Sequence, residues 1–128
     1  VINTAVISGI GSILLKSIFD RPRPNGIHLV TESSSSFPSG HAMASILCYG
    51  TIWLFVPLFI KNKKIRLCIQ FLLGLLIISI GISRIYLGVH YPSDIIAGYA
   101  VALGWLLGTY PIYVEKSVKY RFQNRNFK

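Results

Sequence analysis

The sequence predicts an all-α fold: a polytopic bundle of transmembrane helices, with four spans in this chain. Three observations carry that prediction. Of the 128 residues, 52% are hydrophobic and only 13% are charged, which is too apolar for an ordinary soluble domain of this size. The apolar residues gather in four long segments, and the charged residues gather in the connectors between those segments.

The first segment, residues 1–18, is interrupted only by Lys16 near its end. It has neither a basic leading region nor a small-residue cleavage site, so it reads as the interior of a spanning helix rather than as a signal peptide. The second, residues 42–60, carries no charge. The third, residues 67–83, and the fourth, residues 95–114, are likewise uncharged. A spanning helix needs about 17–25 predominantly apolar residues, so all four qualify once their flanks are included. Gly104 with Gly108, and Gly74 with Gly81, predict faces for close helix packing. Trp53, Trp105, Tyr110 and Tyr113 read as belt or packing residues. Cys48 and Cys68 read as small packing residues, too far apart along the membrane normal to be bridged.

The connectors are unequal. Residues 20–38 form a long polar loop that includes a four-serine run, read as flexible chain. Residues 61–66 form a tight basic turn, and residues 84–93 join the third segment to the fourth. Four spans in series place the first and third connectors on one side, and the second connector and the C-terminus on the other. Nine of the thirteen basic residues then share the second side: Lys61, Lys63, Lys64, Arg66, Lys116, Lys119, Arg121, Arg125 and Lys128. By the positive-inside rule that side is cytoplasmic, and the other four, Lys16, Arg21, Arg23 and Arg84, face outward. The formal charge of +9 is thereby a matter of topology and anionic lipid, and no nucleic acid is implied.

The outward side collects the residues suited to chemistry. Gly88 and Pro92 read as a helix stop and a helix start, which holds His90 in a turn with Asp94 one helical turn further on. Asp94 can reach one imidazole nitrogen and leave the other free to act. Lys16, Arg23 and Arg84 supply fixed positive charge and donor forks that match a tetrahedral oxyanion. Ser39 and Gly40 stand where the second helix begins, so that their backbone N–H groups and the helix dipole can meet an anion. His41 lacks a carboxylate at helical spacing, which points to a general acid, with His90 as nucleophile. A metal site is the weaker reading, because hard cations call for more carboxylates and zinc for a denser ligand cluster. His28 and Glu32 read as solvated loop residues. Arg21 has the same charge as Arg23, and composition alone does not separate them.

These residues fall into three motifs. Lys16 is followed after six residues by Arg23-Pro24; Pro38-Ser39-Gly40-His41 stands intact; and Ser83-Arg84 is followed by His90 and then Asp94. In this the chain resembles the type 2 phosphatidic acid phosphatase family of membrane lipid phosphatases, which is related to the soluble vanadium-dependent haloperoxidases. The match favours Arg23 over Arg21. The resemblance implies a single membrane-embedded phosphatase domain over 1–128 that lacks N-terminal spans, since members typically have six. It implies a hydrolase with no metal and no cofactor, acting through a phosphohistidine on a lipid phosphate or lipid pyrophosphate. Undecaprenyl pyrophosphate, phosphatidylglycerophosphate and phosphatidate are the substrates of similar bacterial proteins. His90, His41 and Asp94 would be catalytic, and Lys16, Arg23, Ser39, Gly40 and Arg84 would hold the phosphoryl oxygens at the extracytoplasmic face. The rival expectation is a non-catalytic membrane protein that binds anionic lipid head groups.

Overall fold

A computed structural model describes residues 7–25 and 34–125. The first helix, α1 (Ser12–Phe19), is entered through a π-helical stretch, Ile7–Gly11. The second, α2 (Gly40–Phe59), is continuous but opens into a wide π-helical turn over Ile46–Gly50. Helices α3 (Lys63–Tyr86) and α4 (Pro92–Arg125) complete the set. Among the described residues α2, α3 and the first 21 residues of α4 are each long and apolar enough to cross a membrane. The first apolar segment is described only from Ile7, and its helix is shorter than a span over the residues seen.

Local chemistry explains where the helices stop and start. Asp20 closes α1 in a left-handed conformation, and its N–H bonds the Lys16 carbonyl at 2.9 Å. Ser39 caps α2, its hydroxyl accepting from the Ala42 N–H. Asn62 caps α3 by accepting from the N–H groups of Lys64 and Ile65, a signal the basic turn conceals. Gly88, at φ 73°, takes the left-handed conformation that ends α3, and Pro92 opens α4 as expected.

The core is thin, as befits a bundle solvated by lipid. Met43 and Leu47 of α2 pack with Ala102 of α4, flanked by Ile46. Large apolar side chains such as Phe71, Leu72, Ile78 and Ile82 of α3 stay exposed on the outside. Of the glycines the spacing predicts, Gly81 alone makes a close approach among the described residues, and Gly98, which the spacing does not single out, makes another. A Cβ at Gly98 would lie 2.8 Å from the Ser39 carbonyl and 3.1 Å from Ala42 Cβ. One at Gly81 would meet Ile95 at 2.8 Å and the Tyr99 hydroxyl, which itself bonds the Ile77 carbonyl at 2.6 Å. Gly74, Gly104 and Gly108, by contrast, have nothing within 4 Å of such a position, so the face predicted at 104–108 packs against no described residue. Cys48 and Cys68 are free, and both are exposed rather than packed inside.

Gly98 therefore sets how near α4 comes to the start of α2. Gly98→Ala forces the two apart and should cost about 1–3 kcal/mol, the usual penalty for overpacking. Thermal unfolding in detergent checks this; an unchanged midpoint would mean the contact is slack.

Candidate active site

The end of α1, the start of α2, the end of α3 and the start of α4 meet at one end of the bundle. The tie between them is explicit: the Ser39 N–H donates to the Asp94 carbonyl at 3.1 Å. Every residue selected from the sequence for chemistry lies on one of these four ends or in the turns joining them.

His90 and Asp94 are the buried pair. His90 Nδ1 lies 3.6 Å from Asp94 Oδ2, and both side chains are shut off from solvent. Asp94 Oδ2 also accepts from the Tyr91 N–H at 2.9 Å. At 3.6 Å the imidazole is near the carboxylate but not hydrogen-bonded to it, and Nδ1 has no other partner among the described residues. Burial lowers the His90 pKa below the ordinary histidine value, and the Arg23 guanidinium pushes the same way. The Ser36 carbonyl and the Asp94 carboxylate oppose them, while Lys16 adds to the lowering. The neutral imidazole is therefore the form held at neutral pH, as a nucleophile requires.

The cations are arranged around this pair. Arg23 donates from Nη1 to the Val89 carbonyl at 2.8 Å, beside His90, and from Nε to the Ser34 carbonyl at 2.7 Å. Lys16 Nζ donates to Ser34 Oγ at 2.8 Å, which Arg23 Nη2 also approaches at 3.3 Å. Arg84 stands near the end of α3 with its Nε buried and without a hydrogen-bond partner among the described residues. A buried donor left unmade costs about 1–3 kcal/mol, and an oxygen of a bound ligand would satisfy it. Gly40 and His41 are the first two residues of α2, and His41 is exposed.

Two sequence expectations change. The Ser39 N–H is spent on Asp94 and is not offered to an anion; the hydroxyl proton is what Ser39 has left to donate. The serine run is not mere flexible chain over its described part. Ser34 holds Lys16 and Arg23, Ser35 Oγ donates to the Lys16 carbonyl at 3.1 Å, and buried Ser36 bonds the backbone of Arg21 and Pro22. The ties reach the very stretch that bears the cations. His28 and Glu32 lie outside the described residues. Arg21 is the residue the motifs pass over, and it is the one that meets Asp94, Nη1 to Oδ1 at 2.8 Å. Among the described residues no group of three His, Cys, Asp or Glu side chains gathers.

Comparison with known proteins agrees with this geometry. The chain is 39% identical over 94 residues to phosphatidylglycerophosphatase B of Bacillus subtilis, covering 70% of this chain and 45% of that protein. It is 33% identical over 112 residues to lipid A 1-phosphatase of Rhizobium etli, covering 80% and 44%. Undecaprenyl-diphosphatase of Bacillus subtilis is 31% identical over 108 residues, covering 77% and 51%. The chain thus spans about half the length of these curated relatives. A crystal structure of a transmembrane PAP2 type phosphatidylglycerolphosphate phosphatase from Bacillus subtilis superimposes with a TM-score of 0.80 at 30% identity, covering 89% of this chain and 57% of that one. With residues 1–117 matched by the family's own model as well, the chain belongs to the PAP2 superfamily.

Proposed function

We propose that this chain carries the active site of an integral membrane phosphatase that hydrolyses a lipid phosphate or lipid pyrophosphate through a phosphohistidine. The observation that carries the reading is the buried His90–Asp94 pair with the Lys16 and Arg23 cations beside it, at the end of an apolar bundle where α3 also brings the buried Arg84 Nε. The relatives' names add the substrate class: each is a phosphatase of a membrane lipid.

The steps follow from the residues. In this step the Nδ1 proton is held toward Asp94 Oδ2, 3.6 Å away, and Nε2 exchanges its contact with the Ser36 carbonyl for the phosphorus atom. The N–P bond forms as the bond to the leaving oxygen breaks, and His41 protonates that oxygen. The Arg84 Nε, the Arg23 and Lys16 cations and the Ser39 hydroxyl surround the three phosphoryl oxygens. Gly40, without a side chain, leaves the start of α2 open to the ligand. Water, deprotonated by His41, then splits the N–P bond, releases inorganic phosphate and restores His90.

The test is phosphate release by the purified full-length protein from undecaprenyl pyrophosphate, phosphatidylglycerophosphate and phosphatidate. Turnover of at least one supports the reading. Retention of these lipids with no turnover overturns it in favour of a head-group binder.

The site lies on the extracytoplasmic side in this reading, because the basic turn at 61–66 marks the cytoplasm. With native cysteines replaced, a cysteine at exposed Asn25 should react with an impermeant thiol reagent on intact cells, and one at exposed Asn62 should not. The opposite labelling would put the site in the cytoplasm.

A further inference from the structure

One cation at this end of the bundle has no part in the chemistry just described. Arg21 lies outside the three motifs, yet a single one of its nitrogens, Nη1, reaches both Asp94 Oδ1 and Ser93 Oγ at 2.8 Å. Its guanidinium carbon stands 4.2 Å from the centre of the Tyr91 ring. The side chain thus rests on Tyr91, Ser93 and Asp94 together, from the far side of a sequence gap of more than seventy residues. Asp94 is fully buried, whereas the Arg21 side chain is 39% exposed, so the arginine closes the site from the solvent side.

We propose that Arg21 is a positioning residue for the nucleophilic histidine: it fixes the Asp94 carboxylate through Oδ1 so that Oδ2 is the oxygen presented to His90. The proposal rests on the phosphatase reading of this site and deepens it. A carboxylate turns readily about its last torsion, whose wells are broad and two-fold. Both oxygens need partners for that torsion to hold one setting. The Tyr91 N–H supplies one on Oδ2 and Arg21 supplies the other on Oδ1. The second consequence is electrostatic. A buried carboxylate without a cation is costly and pulls a proton onto any neighbouring imidazole. Arg21 answers that charge, and Lys16 and Arg23 from the α1 side add to it against Asp94, the acidic neighbour that faces His90 among the described residues.

The test uses the full-length protein in detergent with Arg21→Gln, Arg21→Lys, Asp94→Asn and the Arg21→Gln/Asp94→Asn double variant. Two quantities are read: kcat and KM on a phosphate ester, and the titration of His90 by NMR of labelled histidine. Arg21→Gln should lower kcat about 10- to 100-fold, by analogy with the loss of outer partners of metal-bound histidines. KM should change little. The His90 titration should move to higher pH, because a cation has been taken from the carboxylate that faces it. Arg21→Lys keeps the charge but not the fork, so it should leave the titration near that of wild type and recover part of kcat. It also supplies both readings if the glutamine variant does not fold. In the Asp94→Asn background Arg21→Gln should cost nothing further.

A rise in KM alone would make Arg21 a substrate clamp and overturn the proposal. So would full additivity with Asp94→Asn, or an unmoved His90 titration in Arg21→Gln. Wild-type protein with no turnover would sink the phosphatase reading, while the titration would still decide what Arg21 does to His90.

Discussion

His90→Ala should abolish turnover whatever group departs, while His41→Ala should lose activity in proportion to how badly the leaving oxygen needs a proton. The difference follows from the roles. Without His90 no N–P bond can form, and no property of the substrate replaces it. General acid assistance is worth about 10²–10⁴ in rate, and that benefit shrinks as the leaving group becomes less basic. A lipid alkoxide is strongly basic, a lipid monophosphate leaving from a pyrophosphate much less so, and a nitrophenolate least. His41→Ala should therefore be severely impaired on a lipid monophosphate, less so on a lipid pyrophosphate, and near wild type in phosphoenzyme formation from nitrophenyl phosphate. In the proposed mechanism His41 also activates water in the second step, so its alanine variant should accumulate the intermediate, which must be trapped without acid. The structure fits this division: His90 is buried beside Asp94, and His41 is exposed where a departing group and water can reach it. Equal losses along the series for both variants would refute it, and recovery in His90→Ala would exchange the two roles.

Much of this architecture is legible in the sequence because its determinants are local. An uncharged run of about 20 residues needs no tertiary contact to read as a span. Gly88 and Pro92 announce the turn that carries His90 through their own backbone preferences. What stayed hidden depends on which surfaces meet. Gly104 and Gly108 have the spacing of a packing face, but a small residue permits close approach without saying which side has a neighbour; of the predicted glycines Gly81 is in close contact, and Gly50 and Gly98, which no spacing singles out, join it. The serine run has the composition of a loop, and only distance shows that Ser34 and Ser36 tie down the stretch bearing the cations. Arg21 and Arg23 differ by two positions and no charge. The motif singles out Arg23, which lies against Val89 and Ser34; that Arg21 lies on Asp94 follows from how the chain leaves α1 at Asp20.

Arg84→Lys should lose about 10²–10³ in rate while the protein unfolds no more easily than wild type. The first half rests on geometry. The Arg84 Nε is a buried donor with no partner among the described residues, placed near the end of α3 two turns of chain before His90. Lysine keeps the charge but has a methylene where that N–H stands, and it has no planar fork for two oxygens of one phosphoryl group. The magnitude is that of losing one preorganised donor to a developing oxyanion. The second half separates function from packing. An unpaired buried donor weakens the fold that contains it, so removing the Nε relieves a cost rather than breaking a bond. Arg84→Met, which fills the chain as far as the Nε position and drops every donor, should be at least as resistant to thermal unfolding as wild type and still lose activity. A packing or topology residue would show the reverse, with lowered stability and activity retained by the lysine variant. Wild-type rates in Arg84→Lys would remove Arg84 from the phosphoryl clamp and leave Lys16, Arg23 and the Ser39 hydroxyl to hold the substrate.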